Sequence, residues 1–322
     1  MGSKSRFVTG ALSALAGALL ATSVAAQQEL KIMAPAAPGG GWDQTARSLQ
    51  QALLTSGLSR SVQVTNVTGA GGTVGLAQFI NGAKGDSTQL MVNGLVMLGA
   101  ILTNKSPVSL DQATPIARLT TEYLAIVVPA NSPLKTLKDL AELTKTDPAK
   151  VRWAGGSAGG VDHIAAGLFA KTIGADPTRI NYIPFSGGGE ALAAMLGGRV
   201  TAGISGYGEF EGQIKAGKLR VLAVTSPKRL EGVDAPTLKE GGVDLDIANW
   251  RSVFAPPGIS SEGRAALVGT MEKLVKSKEW LEILKQKGWD DAYLPGDEFG
   301  AFLKSEEARV REVLTSIGLV KG

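Results

Sequence analysis

Residues 29–49 read ELKIMAPAAPGGGWDQTARSL. Glu29–Ala34 reads as a short strand, Ala36–Gly41 as a proline- and glycine-rich turn, and Thr45–Leu54 as an amphipathic helix. The unit of strand, glycine-rich turn and helix then recurs. SVQVTNV (61–67) leads into TGAGGTVG (68–75) and a helical run over 76–81. VRWA (151–154) leads into GGSAGGVDH (155–163) and a helix to Ile173, and INYIP (180–184) into FSGGGEA (185–191) and a helix to Leu196. Strands that alternate with helices imply a parallel α/β sheet.

Working outward, Gln89–Val92, Ile116–Val128, Val200–Ile204, Leu219–Thr225 and 245–254 are further extended segments. Thr136 is an N-cap candidate for a helix to Thr144, and Tyr207–Ala216 is helical. After Pro256-Pro257-Gly258 the chain is largely helical, over Ser260–Ser277, Lys278–Lys287 and Pro295–Ile317. Pro129–Pro133 interrupts the alternation, and the second half repeats the architecture of the first without repeating its sequence. Two crossings, near 118–128 and 245–255, predict two lobes joined by a two-stranded hinge. Residues 27–122 with 250–322 would form one lobe and residues 123–249 the other, each a mostly parallel sheet flanked by helices.

Composition narrows the function. The chain has 322 residues, enough for two lobes, and no cysteine, which excludes thiol chemistry and cysteine-ligated metals. A single histidine excludes a multi-histidine metal site. Basic residues are scattered and the net charge is +4, so no nucleic-acid groove is expected. Lys4 and Arg6, the apolar run FVTGALSALAGALL (7–20) and the small residues Ser23–Ala26 read as an export signal over residues 1–26, cleaved after Ala25 or Ala26. Thr9, Gly10, Ser13 and Gly17 interrupt that run, against a membrane span. With no lipidation cysteine, a soluble periplasmic protein is expected.

The four glycine-rich turns suggest an anion site. Helix N-termini present free N–H groups and partial positive charge, and glycine lets backbone approach a ligand. At the carboxyl ends of strands, two turns from each lobe would face one cleft. None matches a nucleotide motif: no lysine follows the glycines, and Gly69-Ala-Gly71-Gly-Thr-Val74 breaks G-x-G-x-x-G at its last position. Gly155-Gly156-Ser157-Ala158-Gly159 does match the nucleophile-elbow pattern G-x-S-x-G, but the sole histidine follows within the adjoining helix, too near to serve as the base. An exported serine hydrolase using Ser157 is the enzyme alternative; otherwise Ser157 donates to a carboxylate. Single residues keep two readings. His163 either packs or lines the cleft, Arg251 pairs with a ligand carboxylate or with a structural acid, and Asp162 and Glu190 cap helices. Asp43 caps the helix beginning near Gln44 or Thr45, or accepts from a ligand hydroxyl, amine or water.

The segments KIMAPAAPGGGWDQTAR, VTNVTGAGGTVGLAQF, WAGGSAGGVDHIAAGLFAK, INYIPFSGGGEALAAMLGGRV, IKAGKLRVLAVTSPKR and NWRSVFAPPGI, in this order, resemble the TctC/Bug family, the periplasmic solute-binding proteins of tripartite tricarboxylate transporters. The resemblance implies a type II-like periplasmic binding protein that closes on a small organic acid, performs no chemistry, needs no cofactor, acts as a monomer and delivers its ligand to membrane permease subunits. It implies a carboxylate grip by Pro38, Gly39, Gly40, Gly41, Trp42 and Asp43 and by Ser157, Ala158 and Gly159. Gly71, Gly72, Ser186, Gly187 and Gly188 would assist, often through ordered waters. His163, Ser205 and Arg251 complete the candidate set. The GGGWD version is similar to the tricarboxylate-binding branch, making the expected ligand citrate-like. The chain departs from many members in carrying Ser186 where they have Lys or Arg. A ligand-presenting sensor for a signalling receptor is the other alternative.

Overall fold

The computed structural model describes Gly2, residues 28–186 and residues 188–321. The export signal read over 1–26 lies outside the described residues, Gly2 apart, as does the candidate Gly187.

The strands are β1 (Gln28–Ala34), β2 (Ser59–Asn66), β3 (Gln89–Gly94), β4 (Thr114–Pro129), β5 (Arg152–Gly155), β6 (Asn181–Pro184), β7 (Ala202–Gly206), β8 (Leu219–Val224), β9 (Ala248–Ala255) and β10 (Asp290–Pro295). The helices are α1 (Gly41–Thr55), α2 (Thr73–Gly82), α3 (Leu95–Thr103), α4 (Leu137–Thr146), α5 (Val161–Thr172), α6 (Gly188–Leu196), α7 (Tyr207–Lys215), α8 (Ser261–Val275), α9 (Lys278–Lys287) and α10 (Gly296–Ser316).

In the first sheet β2, β1 and β3 run parallel, with Ile32 opposite Val64 on one side and Leu90 on the other. β9, the first half of β4 and β10 extend it antiparallel. In the second, β6, β5 and β7 run parallel, and the second half of β4 and β8 complete it antiparallel. The parallel part of each sheet is therefore three strands, and of the antiparallel strands β4 runs through both sheets while β9 and β10 belong to the first and β8 to the second.

β4 explains the join. Its 16 residues contain the apolar run Leu124–Val128, fully buried, whose β-branched members suit a pleated core. Each such side chain contributes about 1.5–3 kcal/mol on burial. From Thr114 to Tyr123 the strand pairs with β9; from Leu124 onward it pairs with β7 and β8. The chain returns beside it. Buried Thr225 donates its N–H to Leu124 O (2.9 Å), accepts from Leu124 N–H through Oγ1 (2.9 Å), and donates its hydroxyl to Ile247 O (2.8 Å).

Most helix limits follow local chemistry. Thr136 caps α4 as expected, and Asp139 completes a capping box with it. α1, however, begins at Gly41 rather than near Thr45, because Gly40 is extended (φ −71°, ψ 165°) and acts as the N-cap. α3 and β10 have no counterpart in the sequence reading. LVMLGAILT is apolar on every side and offers no period, and DDAYLP is a short link between helices.

Candidate functional site

The carboxyl ends of the parallel strands lead into a cavity of about 370 Å³. Its wall is drawn from the links β1–α1, β2–α2, β5–α5, β6–α6 and β7–α7, with Val96 and Asn104 near α3 and Glu122, Asn249 and Arg251 from β4 and β9.

The first turn is answered from within. Gly39 N–H donates to Asp43 Oδ2 (2.8 Å), and Gly40 N–H to Ala37 O (3.2 Å). Gly41 N–H donates to the carboxylate of Glu209 on α7. Asp43 also receives Arg47 Nε (3.0 Å) and Asn66 Nδ2 (2.9 Å). Burial raises its pKa, but Arg47, Gly39 and Asn66 outweigh that and hold the carboxyl below its ordinary value. Asp43 is the third residue of α1, not its N-cap, and it does not line the cavity. Neither expectation for Asp43 holds: it ties its own loop together, with no oxygen left for a ligand.

The same device recurs. On α5, Asp162 accepts Gly156 N–H (2.7 Å); on α6, Glu190 accepts Ser186 N–H (3.0 Å). Both acids sit in the first turn of their helices, but like Asp43 each accepts a loop N–H rather than a helix N–H, so the cap reading is not met; both also line the cavity. Two stretches lack such an answer. No acid follows the glycines of 68–75, and the N–H groups of Gly69, Ala70 and Gly71 meet no acceptor among the described residues. The N–H groups of Ser157 and Ala158 are likewise without an acceptor there. The two stretches adjoin: a Cβ on Gly71 would lie 3.4 Å from Ser157 Cβ. Gly71 and Gly72 have φ of +65° and +89°, and a side chain on Gly72 would strike the Trp42 ring at 2.7 Å. The sheets also meet where α3 presses on the 157–160 loop: Gly99 abuts Gly159 O, and Thr103 Oγ1 donates to Ala158 O (3.4 Å).

A charged floor lies opposite. Glu122 on β4 pairs with Arg251 on β9 and accepts Asn249 Nδ2 (3.1 Å) and Trp289 Nε1 (3.0 Å). The Arg251 guanidinium stacks over Trp289 at 5.2 Å, donates to Thr45 Oγ1 (3.3 Å) and packs against Gly41. Its structural reading is thus met, although it also lines the cavity. Glu209 accepts Ser205 Oγ–H (2.6 Å). Burial and then the nearby Glu122 charge raise the Glu209 pKa; burial and then Glu209 push Asp162 up to about 7.

Gly40, Gly41, Trp42, Gly71, Gly72, Ser157, Ala158, Ser186, Ser205 and Arg251 all line the cavity. Pro38, Gly39, Asp43, Gly159 and His163 do not. His163 accepts Gly159 N–H at Nδ1 (3.2 Å), stacks on Tyr182 with ring centroids 4.0 Å apart, and faces a separate pocket with Ile317 and Leu319. Burial lowers its pKa to about 4. It packs, and it is not positioned as a base for Ser157, so the hydrolase alternative loses its geometry. Sequence reasoning missed Glu122, Glu209 and Asn249. Only Glu209 carried a local signal, since it is the third residue of its helix as Asp43 is of α1. Glu122 and Asn249 become neighbours by β4–β9 register.

Residues 45–319 match the model of the tripartite tricarboxylate transporter family receptor. The chain is 29% identical over 294 residues to protein BugT of Bordetella pertussis, covering 90% of this chain and 89% of that one. Among solved structures, periplasmic binding protein BugD superposes with a TM-score of 0.81 at 25% identity, covering 92% of this chain and 99% of BugD. MatC of Rhodopseudomonas palustris, solved with bound malate, gives 0.77 at 23% identity, covering 89% and 99% of the two chains.

Proposed function

Because the chain belongs to the tripartite tricarboxylate transporter receptor family, a family of periplasmic solute-binding proteins rather than enzymes, we propose that it captures a small di- or tricarboxylate, citrate-like first, and delivers it to the permease subunits of such a transporter. The observation that carries this reading is the adjoining pair of unanswered donor stretches, Gly69–Gly71 from one sheet's loops and Ser157–Ala158 from the other's, on one side of the cavity. A carboxylate between them accepts from both sheets at once and draws them together. In this reading residues 27–122 with 250–322 close on residues 123–249, with the crossings near 118–128 and 245–255 as hinge. Residues 1–26 direct export and are removed.

Trp42, Gly72, Ser186 and Ser205 line the space beside the bound acid in this reading. Gly39, Asp43 and His163 support the loops instead. A thermal-shift panel of citrate, isocitrate, tricarballylate, malate, succinate and aromatic carboxylates tests it. An acid at about a hundred times its Kd stabilises the folded state by about 2.7 kcal/mol. No shift with any carboxylate overturns the proposal.

A further inference from the structure

An anion receptor with this cavity wall presents a contradiction. Four carboxylates, those of Glu122, Asp162, Glu190 and Glu209, line it against one cation among the described residues, Arg251, which is already paired with Glu122. No group of three acids among the described residues is arranged to hold a metal ion, so a resident cation does not account for them. Asp162 and Glu190 are explained by the loop N–H groups that they accept. Glu122 is explained by Arg251, Asn249 and Trp289. Glu209 receives one hydroxyl and one N–H, leaving lone pairs of its carboxylate uncommitted on the cavity wall.

A second observation points the same way. Asn249 lines the cavity and is buried, and its Oδ1 has no donor among the described residues. Its orientation is fixed, since Glu122 only accepts and must therefore face Nδ2. The cavity thus has a donor-rich side, at Gly69–Gly71 and Ser157–Ala158, and an acceptor-rich side, at Glu209 and Asn249. A ligand that carries only carboxylates satisfies the first and is repelled by the second.

Resting on the carboxylate reading above, we propose that the cleft selects acids that also present a hydrogen-bond donor, a hydroxyl or an ammonium group, and that Glu209 is the residue receiving it. Glu209 then determines which acid is taken, the role that Asp43 does not have.

Calorimetric titration with matched pairs tests this on the mature protein. Citrate against tricarballylate and malate against succinate differ by one hydroxyl; aspartate against succinate differs by one ammonium. The donor-bearing member is expected to bind at least threefold tighter in a hydroxyl pair or in the ammonium pair, and the pair that responds identifies which donor is read. In Glu209→Gln that ratio is expected to fall at least threefold, from both directions: the donor-bearing acid binds more weakly while the donor-free acid, relieved of one negative charge, binds more tightly. A side chain of merely structural importance would weaken both together. If Glu209→Gln does not fold, Glu209→Asp, which withdraws the oxygens by one methylene, is measured for the same fall in ratio. Acid binding without a threefold preference, or a preference unchanged in the variant, overturns this inference alone. No binding of any acid overturns the carboxylate reading, and this inference with it.

Discussion

The turns at residues 38–43 and 68–75 are both glycine-rich links from a strand of the first sheet to a helix, and their amides have opposite fates. In the first, Asp43, Ala37 and Glu209 accept from Gly39, Gly40 and Gly41. In the second, three N–H groups stand open beside Ser157. Glycine content is alike in both, so it does not decide which turn can hold an anion. What differs is the acceptors within reach: Asp43 in the helix that follows, Ala37 in the turn and Glu209 from α7 meet the first turn's amides, whereas TVGLAQF has no acid and none reaches Gly69–Gly71.

Filling the open turn should have the largest effect on binding. Gly71→Ala adds a Cβ that overlaps the Ala100 side chain at a φ of +65°, a conformation costing on the order of 1–3 kcal/mol for a non-glycine residue. Displacing the Gly69–Gly71 amides is expected to weaken every carboxylate alike, by about a hundredfold or more, as two lost charge-assisted hydrogen bonds imply. Titration calorimetry checks it; an unchanged Kd would move the anion elsewhere in the cavity.

Asp43→Asn strikes the closed turn and should act differently. The amide keeps an acceptor for Gly39 but loses the Arg47 ion pair. Its NH2 also meets the donor of Asn66 or Arg47. A stability loss of about 1–3 kcal/mol is expected, read as a fall in Tm of about 2–4 °C per kcal/mol for a chain of this size. The preference among acids should stay within threefold of wild type, and a changed preference would restore Asp43 to the ligand.

These cases mark how far the sequence could be read. Strand, glycine turn and helix recur visibly because each is a local pattern, and the Thr136 cap and the long β4 segment were equally local. The spacing of four between Gly39 and Asp43, and between Ser186 and Glu190, was also on view. Its meaning was hidden because three glycines read as loop, although α1 begins at the third. The acceptor side of the cavity was not legible. Glu122 meets Asn249 only through strand register across 127 positions, and Glu209 reaches Gly41 only through the meeting of the two sheets.

An acid that titrates beside an open donor stretch makes binding there depend, more weakly, on pH. Asp162 lies in the helix turn just after Ser157 and Ala158, facing Gly156 N–H, Ser205, Glu209, Glu122 and Tyr182. Burial, then the Glu209 charge, raises its pKa from 3.8 to about 7. Folding therefore takes up a proton between those values, so this contribution to stability is present at low pH and lost as pH rises through about 7. Neighbouring His163 has the opposite sign. Its pKa falls from 6.5 to about 4, so its contribution is present above 6.5 and lost as pH falls through about 4. An anion bound at Ser157–Ala158 favours the protonated form of Asp162 further, and every tenfold gain in proton affinity that it induces makes about a tenfold difference in its own affinity. Carboxylate binding is thus expected to weaken about threefold to tenfold from pH 6 to pH 8, with proton uptake visible as a buffer-dependent enthalpy. Asp162→Asn keeps an acceptor for Gly156 and should flatten the profile while leaving His163 untouched. If the profile is flat in wild type, the anion does not lie near α5, and the donor pair at Gly69–Gly71 must hold it without Ser157.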